Sequence, residues 1–369
     1  MTDQRRAIIL GPEAEKNLLQ LDGSLGEGGG QILRTALALS AVTGLPFELT
    51  NIRSNRPHPG LRPQHVESVK ACARICAARV AGAAENSTVL RFEPGPVQPG
   101  RYRFEIQTAG SAALLLHAAW LPLALSGAES RLEIRGGTHV PWSPCYHYLE
   151  RQWAPWLRRI GIQIRLELKR AGFYPQGGGE MQATIQPAAG LRPLRCTVPG
   201  ALKDLSLLSA ACNLPQHVAE RQKKRALERL EGYGIEPRVE MPQNLPAQGK
   251  GSFVVLTAEL ENGAGCYSSL GAIGKPAEKV ADEAAKALAA FIASETVMDE
   301  YLADQILLPL SLVPAESEYT TCCITAHLIT NAEIIRRFVP AEIRIEGEPG
   351  KPGRVVVTGC DPRHGARVS

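Results

Sequence analysis

The sequence predicts an α/β protein in which one helix-and-strand arrangement recurs and a smaller α/β region interrupts it. Three observations carry that prediction. Glycine-rich or polar turns open apolar helices at separated places, a stop and a strand-like run follow each helix, and the composition shifts after Gly190 before the pattern returns. Each copy has one apolar helix to bury, so helices covering a sheet are the natural packing.

The first copy opens at Gly28-Gly-Gly and continues as the apolar helix 31–39. Gly44 stops it, and residues 46–52 read as a strand. The second begins at Thr108-Ala-Gly-Ser111, runs helical to Leu125, stops at Gly127 and leads to a strand at 131–134. The third pairs a helix at 304–310 with a strand at 319–324, and it shares Gln-Ile-Leu with the first, at 305–307 and 31–33.

Between these lie amphipathic segments. Residues 63–81 keep Val66, Val69, Ile75 and Val80 among charges and predict a half-exposed helix. Residues 146–160 predict another, whose stripe of Leu149, Trp153, Trp156 and Ile160 suits a core, although Pro155 disturbs it. From 191 to 295 the order is strand (194–198), polar helix (217–231), loop (241–252), strand (253–257) and Ala-rich helix (277–294). The run Arg221-Gln-Lys-Lys-Arg225 reads as a solvated helix face. The expected organisation is a large repeated domain, 1–188 and 296–369, interrupted by a small α/β domain at 189–295.

Composition narrows the class. The 369 residues are 44% hydrophobic and 21% charged with a net charge of +4, which excludes disorder and permits an anionic partner without a basic tail. Aromatics at 5% argue against a surface built for stacking single-stranded bases. The apolar run 7–10 is too short for a signal peptide. The run 112–128 is broken by His117, Pro122, Ser126 and Gly127, so no membrane span and a cytoplasmic location are expected. The nine cysteines include no C-x-x-C pair and should be reduced, and a zinc site from His58, His65, Cys72 and Cys76 fits no common spacing.

Chemistry concentrates in a few stretches. Asp22-Gly-Ser-Leu-Gly-Glu-Gly-Gly-Gly-Gln31 matches neither common glycine-rich nucleotide motif, which leaves a tight turn and an anion site equally open. Glu27 inside it would repel phosphate unless a metal bridges them. Arg53, Arg56 and Arg62 crowd a proline-stiffened loop with His58 and His65, a phosphate-facing loop or a solvated basic one. His327 stands near a helix start, where an imidazole tends to stay neutral with one ring nitrogen free. On the residues alone, nucleophile and structural histidine both remain open.

Taken together, these stretches resemble the RNA 3′-terminal phosphate cyclase family. The opening motif at 22–34, the Arg-rich block at 52–65, and Thr-Ala-Gly-Ser at 108–111 carry the likeness. So do Gly-Gly-Thr at 136–138, Gly-Phe-Tyr-Pro-x-Gly-Gly-Gly at 172–179 and His-Val-Ala-Glu-Arg at 217–221. Tyr-Leu-Ala-Asp-Gln at 301–305 and His-Leu-x-Thr-Asn at 327–331 follow in family order. The resemblance implies repeated βαβαββ-type units with an inserted thioredoxin-like domain. It implies an ATP-dependent enzyme that makes a 2′,3′-cyclic phosphate from an RNA 3′-phosphate, through a histidine–AMP intermediate and an RNA adenylate. It assigns His327 as the adenylated nucleophile. Glu27, Arg34, Arg53, Arg56 and Gln64 are assigned as polar active-site residues, with Glu27 the candidate ligand of Mg²⁺ or a similar divalent cation. His117, Tyr301, Leu302, Ala303, Asp304 and Gln305 fall on ATP-binding positions, with Tyr301 set to stack on adenine. Two departures touch the nucleotide contacts: His117 stands where the family commonly has glutamine, and His139 follows Gly-Gly-Thr. The alternative is a catalytically silent relative acting in ribosome assembly by binding RNA, which would lack the nucleophile at 327.

Overall fold

The computed structural model describes residues 17–361; the apolar run 7–10 lies outside them. Three stretches of chain fold to one plan. The first comprises β1 (Leu19–Asp22), α1 (Gln31–Thr43), β2 (Phe47–Thr50), α2 (Pro63–Ile75), β3 (Arg79–Ala81) and β4 (Leu90–Glu93). Its strands lie in the order β1-β2-β4-β3, with β1 and β2 parallel and the remaining pairs antiparallel.

The second comprises β5 (Arg101–Glu105), α3 (Ala112–Ala124), β6 (Ser130–Gly136), a broken helix α4, β7 (Ile164–Arg170) and β8 (Gly179–Ile185). Its order, β5-β6-β8-β7, repeats the first. Helix α4 is helical over Tyr146–Tyr148, π-helical over Leu149–Trp153 and α-helical again over Ala154–Arg159. The stripe at 146–160 therefore predicts helix correctly but not the π turn. Pro155 falls in the first turn of the last section, where a missing N–H costs little.

The third begins at β9 (Arg195–Cys196). Before it continues, the chain makes β10 (Leu202–Cys212), α5 (His217–Leu230), β11 (Arg238–Glu240), β12 (Gly251–Leu260), β13 (Ala264–Leu270) and α6 (Ala277–Ala293). It then resumes with α7 (Glu300–Leu310), β14 (Glu316–Thr321), α8 (Ala326–Phe338), β15 (Glu342–Glu346) and β16 (Gly353–Thr358). The order β9-β14-β16-β15 is again the same.

Local chemistry sets the ends of these helices. Gly44, at φ 75°, closes α1 by donating its N–H to the Ser40 carbonyl at 2.9 Å. Ser111 and Thr325 cap α3 and α8 by accepting from the N–H of Leu114 at 3.3 Å and of Leu328 at 3.0 Å. Helix α2 ends at Ile75, short of the expected 81, because residues 79–81 pair as an edge strand with β4.

The central strands β10 and β12 are buried on both faces, successive side chains entering two different cores. Leu205, Leu207, Val254 and Leu256 meet Ala226, Leu230, Val280, Ala284 and Leu288 of α5 and α6 in one core. Leu208, Ala210, Phe253 and Val255 join the large core of the repeated units. The two arginines of the basic run on α5 are paired, Arg221 with Glu278 at 2.7 Å and Arg225 with Asp282 at 2.8 Å. All nine cysteines are free. Among the described residues, no helix is long and apolar enough to cross a membrane.

Candidate active site

Helices α1, α7 and α8 converge, and their polar side chains form one connected set. Asn331 of α8 donates to the Asp304 carbonyl at 2.7 Å and accepts from the Thr35 hydroxyl at 2.7 Å, fixing the three helices together. Gln31, the first residue of α1, donates from its amide nitrogen to Asp304 Oδ2 at 3.1 Å. That contact aims its Oε1 at Nδ1 of His327. An amide oxygen only accepts, so Nδ1 of the neutral ring carries the hydrogen and Nε2 keeps its lone pair.

Nε2 faces Glu27 Oε2 at 3.3 Å, and the same oxygen accepts from Arg56 at 3.1 Å. The His327 side chain is 42% exposed, so the ring is reachable from solution. Burial lowers its pKa from 6.5; Glu27 pulls it up, and Arg34 and Arg56 push it down. A neutral imidazole is the outcome at ordinary pH.

Arg34 is the electrostatic hub. Its guanidinium has no side-chain hydrogen bond to the described residues. Burial lowers its pKa to about 10, against the attraction of Asp304. Its charge also depresses His65, His117 and His327. A cation with hydrogen-bond donors to spare beside a single carboxylate can receive an anion. His65 stands beside it: the Arg62 N–H donates to its Nδ1 at 3.1 Å, so Nε2 carries the hydrogen, aimed at Gly30. A Cβ on Gly30 would lie 2.4 Å from His65 Nε2 and 3.1 Å from Arg34 Nη1. The third glycine of the triplet is thus the floor on which two donors meet. Burial, then the charges of Arg34, Arg53 and Arg62, lowers His65 to about 3, so it donates as a neutral ring.

The nucleotide block divides. Tyr301 is 52% exposed and stands edge-on to Tyr148 and Tyr267, at 6.3 and 6.2 Å between ring centroids. Leu302 and Ala303 are fully buried; the Leu302 N–H donates to Asp299, and the Ala303 carbonyl accepts from the Tyr319 hydroxyl at 2.7 Å. Their side chains belong to the core. Asp304 meets Gln31, and burial raises its pKa to about 7. Gln305 Oε1 and His117 Nε2 are buried polar atoms without a partner. Burial, then Arg34, lowers His117 to about 3, which keeps it neutral.

Two expected site residues also hold loops. Arg53, at φ 55°, donates to the carbonyls of His58 at 2.7 Å and Gly60 at 3.0 Å and so folds its own loop. Gln64 accepts from the Ser111 N–H at 3.0 Å, tying α2 to the start of α3. His139 is buried, its Nε2 3.0 Å from His147 Nδ1 and its ring stacked on Phe253 at 4.3 Å. Among the described residues, no group of three or more His, Cys, Asp or Glu side chains could hold a metal, which removes the zinc reading of His58, His65, Cys72 and Cys76. Sequence reasoning gave no role to Gln31 or Asp299 and placed His65 only in a basic loop that could face phosphate.

The profile of the RNA 3′-terminal phosphate cyclases matches residues 25–345, a span that includes every residue of this cluster. The chain belongs to the RNA 3′-terminal phosphate cyclase family. Curated cyclases agree along nearly their whole length. The Methanopyrus kandleri cyclase is 43% identical over 347 residues, covering 92% of this chain and 99% of its own. The Caldivirga maquilingensis cyclase is 45% identical over 332 residues, covering 88% and 94%. The Ralstonia nicotianae cyclase is 42% identical over 331 residues, covering 89% and 94%. Among solved structures, the enolpyruvyl transferase NikO from Streptomyces tendae is a distant match. Its TM-score is 0.38 at 11% identity, covering 94% of this chain and 49% of that one.

Proposed function

We propose that this cyclase transfers AMP from ATP to Nε2 of His327, passes it to an RNA 3′-phosphate, and releases a 2′,3′-cyclic phosphate. The observation that carries the reading is the Asp304–Gln31–His327 chain, which leaves the Nε2 lone pair free beside Glu27 and the arginines. An ATP-dependent RNA 3′-phosphate cyclase is the enzyme class of the family.

In the first step the Nε2 lone pair attacks the α-phosphorus, a P–N bond forms, and the P–O bond to pyrophosphate breaks. The ring becomes cationic, and Gln31 Oε1 stabilises the Nδ1–H as that charge develops. Arg34, Arg56 and the neutral donor His65 offset the phosphate charge. In the second step an RNA 3′-phosphate oxygen takes the adenylyl phosphorus, and the P–N electrons return to Nε2. The adjacent 2′-hydroxyl then attacks the 3′-phosphorus, AMP leaves, and the hydroxyl proton passes to water. That attack is intramolecular and needs little beyond alignment.

Tyr301 offers an exposed ring for adenine, and His117 and Gln305 each keep a polar atom without a partner among the described residues. Mg²⁺ is commonly held by one or two carboxylates together with substrate phosphates, and Glu27 fits that mode. Bound there, a divalent cation would neutralise charge on the pyrophosphate.

The sheet order β11-β10-β12-β13, with α5 and α6 together on one face, supports reading residues 189–295 as an inserted thioredoxin-like domain within a large domain of 1–188 and 296–369. A cytoplasmic location accords with an intracellular RNA substrate. The test is incubation with α-labelled ATP and Mg²⁺: the denatured chain should carry an acid-labile label that His327→Ala abolishes. An unlabelled chain from a folded, ATP-binding preparation would refute the reading and favour a silent RNA-binding relative.

A further inference from the structure

Two large aromatic side chains project from neighbouring loops, largely uncovered by the described residues. Trp142 is 99% exposed and Tyr174 is 71% exposed. Trp142 also sits at φ 63°, a left-handed backbone that bulky residues rarely adopt. Exposing a full indole on a strained backbone gains the fold nothing. The other three tryptophans are buried, as folding alone would favour.

These rings belong to one tier of loops that leads to the active site. The N–H groups of Thr138 and His139, which begin the loop carrying Trp142, both donate to the Gly172 carbonyl at 3.0 Å, just before Tyr174. The turn after Tyr174 returns with Gly177 donating to the Phe173 carbonyl at 2.7 Å. A Cβ on Gly177 would lie 2.8 Å from the Thr108 carbonyl oxygen and 2.9 Å from Ala109 Cα, so this turn rests on the 108–110 loop. That loop is bound to Gln64 through Ser111, and Gln64 precedes His65, whose Nε2 overhangs Gly30 beside Gln31. The loops that carry the two rings are thus linked to the active site by contacts, loop on loop.

We propose that Trp142 and Tyr174 form a stacking subsite for the RNA bases just 5′ of the terminal phosphate. The proposal rests on the RNA 3′-phosphate reading above. A strand whose last phosphate lies at Arg34 and His327 would reach the two rings by running back along these loops. Aromatic faces accept any base, which suits recognition of an end and not of a sequence. The low aromatic content of the chain is no obstacle, because two placed rings suffice for a short platform.

The test compares Trp142→Ala, Tyr174→Ala and the double variant with the wild-type chain. Self-adenylation by ATP without RNA should be unchanged. The KM for a six-nucleotide RNA 3′-phosphate should rise about fivefold to a hundredfold for each ring removed. The KM for a mononucleoside 3′-phosphate should not move. Trp142→Phe should retain the oligonucleotide KM yet lose the tryptophan quenching that oligonucleotide binding produces in the wild type. An unchanged oligonucleotide KM, or no quenching, overturns the subsite. If the same variants instead dissolve a dimer seen by sedimentation while KM holds, the rings serve a second copy of the chain and the proposal fails. If the wild type takes no label from ATP, the catalytic reading fails separately, and the quenching titration still decides the subsite.

Discussion

Gln31 stands between Asp304 and His327, donating its amide nitrogen to the first and meeting Nδ1 of the second with its oxygen. One side chain therefore fixes both the ring's orientation and its tautomer. Gln31→Ala should lower the rate of His327 adenylation by about tenfold to a hundredfold, as loss of an orienting partner of a working histidine does elsewhere, with little change in KM for ATP. Gln31→Glu makes a different and sharper prediction. A carboxylate against Nδ1 favours the imidazolium, so the histidine must lose its proton at higher pH before it can attack. The wild-type acidic limb should fall below pH 6.5, because burial depresses His327, and the Glu variant's limb should move upward. A pH profile of single-turnover labelling reads both.

Asp299 anchors the nucleotide block from beneath. Its carboxylate is fully buried and accepts from the Tyr148 hydroxyl, the Gln152 amide and the N–H groups of Tyr301, Leu302 and Cys266, at 2.8 to 3.2 Å. Asp299→Ala strands these donors and should cost about 3 kcal/mol or more of stability, seen as a lowered urea midpoint. Tyr301→Ala removes a half-exposed ring and should leave the midpoint nearly in place while raising KM for ATP. Equal stability losses in the two variants would contradict this division of labour.

Gly30 makes the glycine triplet testable at one position. Its φ is −79°, so alanine meets no backbone strain there, only His65 Nε2 and Arg34 Nη1. Gly30→Ala should fold with near-normal stability yet lose most self-adenylation, since both donors must swing away from the anion site. Gly44→Ala is the control: φ 75° strains it, but nothing lies near its Cβ, so it should cost about 1 kcal/mol of stability and leave labelling intact.

The sequence reveals the helices of this fold better than its strands, for a physical reason. Gly44, Ser111 and Thr325 mark helix ends through local chemistry, and these are visible in a window of a few residues. Strand β10 reads Leu-Lys-Asp-Leu-Ser-Leu-Leu-Ser-Ala-Ala-Cys, with no alternation, because its middle is buried on both faces. Strand β5, Arg-Tyr-Arg-Phe-Glu, does alternate, but at five residues it is a short signal. The site divides along the same line. His327, Glu27 and Arg34 stand out through motifs that resemble a family. The partnership of Gln31 with Asp304 and His327 spans 273 and 296 residues of sequence, and only folding joins them. Arg53 was visible as a cation, but its donation to two carbonyls of its own loop was not.

The buried pair His139 and His147 should make stability depend on pH. His139 Nε2 lies 3.0 Å from His147 Nδ1, Thr138 Oγ1 meets His139 Nδ1 at 2.9 Å, and Phe253 covers both rings. Burial lowers His139 to about 3, and burial, then His139 and Arg151, hold His147 well below 6.5. A histidine held neutral in the fold contributes stability that is complete above its unfolded pKa near 6.5 and is lost as pH falls. His65 and His117, both depressed to about 3, act in the same direction. Asp299 and Asp304, raised to about 7, oppose them, since their protonated form is the folded one and their contribution fades as pH rises through 7. Four histidines outweigh two aspartates, so unfolding near pH 5.5 should take up protons and stability should climb from pH 5 to 6.5. His147→Gln removes one titrating ring while keeping a polar side chain. Whatever it costs at pH 7.5, it should reduce the slope of unfolding free energy by about 1.4 kcal/mol per pH unit. Urea titrations at closely spaced pH values measure that slope, and an unaltered slope would mean that His147 is already charged within the fold.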